Sequence, residues 1–478
     1  MRLAALAAAF VAATIQAGPA LSQDEIALGP EARSALTLTI YNSDLALVGE
    51  TRRVELPAGE SRLAILEVSR QLRPETVILS GEGLALVEQG FDVDLMTPHR
   101  LLERALGDRV WVRREAEHGA TQYLEGRLIS IADLPLVQIG DRLEQVPHHA
   151  LVFEAEAGRE GFRDRPTLFA TLQSGEAGAR DLGIAYLTGG LSWQADYVAA
   201  LNEAEDRLDL SALITLRNES GVDFDDASLR LVAGLINQVS APPIMAKAQR
   251  MEMAMADAPM GAAAPVAQQP LGDQHLYALE RSLSLPNRQS KQVGLLAVTG
   301  VPVTKEYRFE ELINAFGGAE EIGPVKARVQ LELENEEESG LGRPLPAGVV
   351  RVYQAGPAEL PGAGAPVFLG EDRIGHSAAG ETLRLTTGRA FDVTGSAKRI
   401  VFDRISNKTY ETGQIITVEN AKETAIAVKL VGQMPPGWRI VEESLPHEKE
   451  TANRPVWTLE VPAGGEAKFS YRVRVTRP

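Results

Sequence analysis

The sequence predicts an all-β fold: multiple antiparallel, immunoglobulin-like β-sandwich modules, with a small SH3-like or Sm-like barrel inserted near the N-terminal third. Three observations predict it. Apolar and polar residues alternate with period two in many segments. A Pro-x-Gly punctuation recurs between such segments. One early stretch breaks into short strands with tight turns behind a short helix.

Alternation is the strongest signal. Leu36, Leu38 and Ile40 alternate with Thr37 and Thr39. Leu208, Leu210, Ala212, Ile214 and Leu216 share one face, as do Val329, Leu331 and Leu333 against Gln330 and Glu332. Phe469, Tyr471, Val473 and Val475 alternate with Ser470, Arg472, Arg474 and Thr476. A strand turns successive side chains to opposite faces, so each segment offers one face to a core and one to water. The punctuation is Pro57-Ala58-Gly59, Pro346-Ala347-Gly348 and Pro462-Ala463-Gly464, with a looser copy at Leu285-Pro286-Asn287. Proline presets φ for a turn and glycine admits φ > 0 just after it, which predicts hairpins at these places.

The early stretch opens with a helix signal, Thr97 as N-cap and Pro98 at the first helical position, running to Leu106. Short apolar runs follow at Val110-Trp111-Val112, Leu128-Ile129, Val137-Gln138-Ile139 and Leu151-Val152-Phe153. These predict the small barrel. Residues 240–271 are rich in Ala, Met, Pro and Gln, without alternation, and predict a disordered insertion. The expected organisation is a β domain over 34–95, helix plus barrel over 96–160, a central sandwich over 161–315 interrupted at 240–271, and a C-terminal sandwich over 320–478.

The first residues predict export. Arg2 precedes an uncharged apolar run, then Gly18-Pro19 and the small-residue pattern Ala20-Leu21-Ser22. That order matches a signal peptide over residues 1–22, cleaved near Ser22/Gln23. The apolar run is too short to span a bilayer of about 30 Å, and no later segment is long enough. The expected mature chain is therefore periplasmic or secreted, without a membrane span. It has no Cys, which excludes disulfides, thiol chemistry and Cys-based metal sites. A net charge of −17 argues against nucleic acid as a partner and leaves a protein or envelope component.

Several segments carry a resemblance. They are Leu191-Ser192-Trp193-Gln194-Ala195-Asp196-Tyr197, Asn218-Glu219-Ser220-Gly221-Val222-Asp223-Phe224, Leu369-Gly370-Glu371-Asp372-Arg373-Ile374, Gly388-Arg389-Ala390-Phe391-Asp392-Val393 and Ser444-Leu445-Pro446-His447-Glu448-Lys449. In their order the chain resembles the exported bacterial family of domain of unknown function 4139, and more distantly the mucoidy-inhibitor-A-like proteins. The resemblance implies an all-β C-terminal region and supplies no catalytic residue. The mucoidy-inhibitor-A-like branch carries an N-terminal coiled coil. This chain lacks sustained heptads there and has the barrel-like segment instead.

Candidate chemistry is sparse. The seven His, at 99, 118, 148, 149, 275, 376 and 447, show no metal-ligand spacing. No nucleophile elbow, Walker loop or dinucleotide fingerprint is present. Asp223, Asp225 and Asp226 sit in a Gly-containing turn, where Asp bonding its own backbone is the ordinary reading and Ca²⁺ ligation the sharper one. The run Glu332, Glu334, Glu336, Glu337 and Glu338 reads as a solvated strand end. Met251, Met253 and Met255 alternate as thioethers that suit Cu(I). Trp193, Tyr197, Trp438 and Trp457 are either core or a carbohydrate platform, and alternation with Leu459 and Val461 places Trp457 in the core. The expected function is a non-catalytic binding or scaffold protein of the cell envelope, with no cofactor. Two alternatives stand beside it. One is a carboxylate-dependent hydrolase of envelope polysaccharide; the other is Cu(I) binding through the Met tract.

Overall fold

A computed structural model describes residues 25–92, 98–115, 121–132, 134–153, 165–234, 236–238, 266–271, 274–315, 320–356 and 364–476. The chain is almost all β, 69% strand against 4% helix. It divides into two compact units: Met1–Leu36 with Leu47–Thr188, and Thr37–Ala46 with Gly189–Pro478.

In the first unit, one sheet runs in the order Ile26–Leu28, Gly59–Leu66, Thr167–Ser174, Leu84–Asp92. A second joins Leu45–Leu56 to Gly178–Thr188 and Ile78–Ser80. Along Leu45–Leu56 alternation buries Val48, Glu50, Arg52, Val54 and Leu56. Two charged residues therefore occupy core positions. Arg52 Nη1 donates to the Leu28 carbonyl at 2.6 Å and the Leu66 carbonyl at 2.9 Å, so it holds two strand ends of the opposite sheet. Its Nη2 donates to Glu50 at 2.7 Å, and Glu50 also meets Arg33 at 2.7 Å. A buried charge is tolerable only when its partners are supplied in this way.

The same unit holds the small β element. Its helix is Pro98–Arg104; the expected cap Thr97 lies outside the described residues. Five antiparallel strands follow in the order Arg142–Gln145, Leu136–Ile139, Thr121–Ser130, Arg109–Glu115, Leu151–Val152. Leu102 of the helix packs with Val110, Val112, Leu128, Val137 and Leu151. The first and last strands do not pair, so the element is an open half-barrel.

The second unit carries a five-stranded sheet: Gln289–Pro302, Arg207–Asn218, Leu191–Leu201, Gly348–Ala355, Pro366–Ile374. A nine-stranded sheet runs Trp438–Glu443, Gly465–Thr476, Thr409–Asn420, Thr382–Arg404, Glu321–Glu334, Thr304–Asn314, Ile426–Gln433, Arg454–Val461, Glu448–Thr451. Leu208, Leu210 and Ala212 of the first pack on Leu331, Leu333, Leu383 and Leu385 of the second. A separate core surrounds the fully buried Trp457, whose ring lies 5.1 Å from Phe469 and 5.6 Å from Tyr471. Phe224–Ala233 pairs with Gln274–Leu279 and with residues 37–41. The expected insertion over 240–271 lies outside the described residues up to 265. Its last six, Val266–Leu271, form a strand against Gln274–Leu279.

Two expectations are corrected. The sheets are mixed and not purely antiparallel: Leu191–Leu201 lies parallel to Gly348–Ala355, and Thr304–Asn314 to Ile426–Gln433. Alternation reports which face is buried and carries no information on strand direction. The Pro-x-Gly copies do not close hairpins. Leu45–Leu56 and Gly59–Leu66, joined by Pro57-Ala58, belong to different sheets, and Arg454–Val461 is not a neighbour of Gly465–Thr476. Gly59 and Gly464 do take φ of +105° and +57°, so the local turn chemistry holds. The turns pass the chain from one pairing partner to another.

A ladder of charges crosses the nine-stranded sheet. It runs Glu306, Arg308, Glu450, Arg454, Glu310, Arg328, Glu311, Arg389, with contacts between 2.9 and 3.4 Å, and Lys429 joins at Glu306. Partial burial raises the Glu311 pKa, but hydrogen bonds from Arg328 and Arg389 outweigh it and hold the carboxyl below its usual value. Glu450 shows the same balance, with Arg308 and Arg454 prevailing over burial.

Two outcomes are expected. Arg52→Ala leaves Glu50 buried beside one remaining arginine and should cost about 3–5 kcal/mol in urea denaturation. The double variant Glu50→Gln/Arg52→Met should recover part of that loss; an unchanged midpoint for Arg52→Ala would show the pair to be dispensable. The lowered carboxylate values stabilise the folded state above the unfolded value, about pH 4.3. That contribution is lost as pH falls through the lower folded values. The melting temperature should therefore drop below about pH 4, less steeply in Glu311→Gln/Glu450→Gln.

Candidate functional site

The outer face of the five-stranded sheet carries a cleft. Leu191–Leu201 is its central strand and explains how the cleft forms. Leu191, Trp193, Ala195, Tyr197 and Ala199 are buried, which turns Ser192 and Gln194 the other way. Pairing sets Arg217 beside Ser192 and Thr215 beside Gln194. On the other side Val349 lies across from Asp196, and Arg373 across from Val349. Ser192, Gln194, Thr215, Arg217, Val349 and Arg373, with Ala347, Gly348, His376 and Asn42, line a cavity of about 390 Å³.

The inner-face residues hold it in place. The Trp193 indole donates to the Val232 carbonyl at 3.3 Å and meets Tyr277 edge-on, ring centroids 6.0 Å apart. The Tyr197 hydroxyl donates to the Pro346 carbonyl at 2.7 Å. His376 Nδ1 accepts the Ala347 N–H at 3.1 Å, so the rim segment is tied at two successive residues. Gly348 is required there for space: a Cβ would stand 2.2 Å from the Ala195 carbonyl oxygen. Burial pushes the Tyr197 and Tyr277 phenols well above their usual range, and both stay neutral.

Charge is distributed unevenly around the cleft. Beside it on the same sheet face, buried Asp196 accepts from Thr215 Oγ1 at 2.6 Å, Gln194 Nε2 at 3.2 Å and Arg351 at 3.2 Å, and its charge is satisfied. The lining itself contains Arg217, Arg373 and His376 and no carboxylate. Neither Arg217 nor Arg373 has an ionic partner among the described residues. Burial and the neighbouring His275 push the His376 imidazole below its usual value, so at neutral pH it is uncharged. With Nδ1 accepting, the neutral ring carries its proton on Nε2 and is a donor there. The arrangement offers donors to a ligand and no general base of carboxylate type.

The residues singled out from sequence scatter. Asp223 accepts the N–H of Asn287 at 2.7 Å, and Asp226, on the strand Phe224–Ala233, accepts from Ser282; both bonds join segments distant in the chain and are not the expected bonds of Asp to its own turn backbone. Glu332 pairs with Arg384 at 2.8 Å, and Glu334 accepts from Thr382 at 2.8 Å. His447 lies between Trp438 and Trp457, 5.6 and 5.8 Å between rings, and meets Glu443 at 3.0 Å. His148 and His149 lie in a 3-10 turn and not on a strand, and His99 meets Glu103 at 3.3 Å. His118 and the thioethers Met251, Met253 and Met255 lie outside the described residues. Among the described residues no group of three His, Asp or Glu is placed to hold a metal ion. Trp193 and Tyr197 form no exposed platform; both are buried behind the cleft. Sequence reasoning missed Arg217 and Arg373. Arg217 sits at a polar position of an alternating strand, and such a position does not reveal whether water or a cleft lies above it.

The family model described as "Domain of unknown function (DUF4139)" matches residues 182–478. No curated protein matches the chain. The matched region contains every cleft residue named above except Asn42.

Tyr197→Phe should cost about 1 kcal/mol for the lost bond to the rim carbonyl. Hydrogen exchange at Ala347 and Gly348 should quicken more than in the rest of the sheet; an unchanged rim would remove Tyr197 from its support.

Proposed function

We propose, for a chain that belongs to the family of domain of unknown function DUF4139, a non-catalytic binding or scaffold role in the bacterial cell envelope, with the cleft around Arg217 and Arg373 as its ligand site. One observation carries the reading: the lining of this cleft holds donors and cations with no carboxylate. The alternative hydrolase needs two carboxylates flanking a scissile bond, one of them with a raised pKa. Among the described residues, the three carboxylates moved clearly from their usual values, Glu311, Glu411 and Glu450, all move down and all lie against arginines. Lowered values suit ion-pairing and not acid catalysis. The envelope location rests on the export signal read at residues 1–22. Among the described residues no helix is long and apolar enough to cross a membrane. The acidic net charge of −17 supports protein or envelope components over nucleic acid as partners.

The mature chain should leave envelope polysaccharide intact in size-exclusion chromatography, and its melting temperature should rise in a small-molecule envelope extract. Ser192→Trp, which fills the cleft from a strand position, should abolish that rise while the circular dichroism stays that of a β protein. Breakdown of polysaccharide that disappears on substitution of a carboxylate pair would replace this reading with the hydrolase.

A further inference from the structure

Arg217 is half-buried on an interior strand of the five-stranded sheet, between Ser192 and Ser290 on its neighbours. Both neighbours are short and leave the guanidinium uncovered toward the cleft. Arg373 faces the same space from the edge strand Pro366–Ile374. The chain carries 65 acidic residues against 48 basic ones, so a cleft with two arginines and no acid is against its composition. The neighbouring guanidinium on the same sheet face is satisfied: Arg351 meets Asp196 at 3.2 Å and Glu371 at 3.3 Å. Arg217 and Arg373 are left without such a partner among the described residues. A guanidinium that loses some water without gaining a carboxylate binds an incoming anion with no existing pair to break.

The polar groups between them define the rest of the ligand. Ser192 and Gln194 present a hydroxyl and an amide carbonyl beside Arg217, and His376 supplies an Nε2–H. No exposed aromatic face lies in the cleft, since Trp193 is buried. A ligand that satisfies this set carries an oxyanion at one place and hydroxyl groups elsewhere. Its size is that of a six-carbon acid, well within about 390 Å³.

We infer that the cleft takes a small polyhydroxylated oxyanion, its negative charge held by Arg217 and Arg373 and its hydroxyls by Ser192 and Gln194. The inference rests on the reading of the cleft as a ligand site and adds the chemical class. The bound group can be a carboxylate or a phosphate, because a guanidinium's planar fork matches either.

Calorimetry with the full mature chain separates the cases. Gluconate tests the carboxylate, glucose 6-phosphate the phosphate, and sorbitol the neutral polyol. At least one anion should bind saturably and at least about 10-fold more tightly than sorbitol. Arg217→Gln and Arg373→Gln should each weaken that binding by about 10-fold, and added salt should weaken it further. These arginines lie on a sheet face, so the variants should fold as the parent does. Absence of binding by both anions, or binding indifferent to both substitutions, would overturn the inference. Sorbitol binding as tightly as the anions, and lost in Ser192→Trp, would overturn the anion class while leaving the cleft a ligand site.

Discussion

The strand Thr304–Asn314 is buried on both sides, and the second unit is arranged around that fact. Tyr307 and Phe309 enter the aromatic core on one side; Glu306 and Arg308 are buried on the other. A strand in this position cannot leave charge unanswered, since removing an ion from water costs several kcal/mol. The ladder from Lys429 to Arg389 answers it, drawing on six strands of the sheet. A one-residue slip of any of these strands would move its charges to the core face, so the ladder also favours one register. That register sets Leu331, Leu333, Leu383 and Leu385 beneath the five-stranded sheet, whose far face carries the cleft.

The first unit solves the same problem on a smaller scale. Arg52 is fully buried, yet it is held by two carbonyls and by Glu50. Glu411 is likewise buried between Arg472 and Arg474, whose hydrogen bonds pull its pKa down against the effect of burial. Among the described residues, buried charge is met by opposite charge or by backbone oxygen. The cleft is the contrast. It is partly desolvated and cationic, and among the described residues its two arginines have no ionic partner.

The Pro-Ala-Gly turns show how local chemistry and topology separate. Gly59 and Gly464 adopt the positive φ that such turns need, and in that respect residue type decided conformation. The strands they join still pair with other partners. The third copy serves a different end. Gly348 begins a strand laid against Leu191–Leu201, where the absence of a Cβ lets two backbones approach, and Pro346 offers the carbonyl that Tyr197 grips.

The sequence by itself determined the all-β class, the buried face of each alternating strand and the core place of Trp457, because these follow from residue-to-residue geometry within a short segment. It also showed family resemblance through segments such as 191–197 and 369–374. Only the tertiary structure decided that parallel pairs join 195 to 348 and 307 to 428, that charges at 306 and 308 are interior, and that Arg217 and Arg373 share a cleft. The physical reason is distance along the chain. Alternation states that a side chain leaves a strand on a given side, and what it meets there is set by strands more than a hundred residues away.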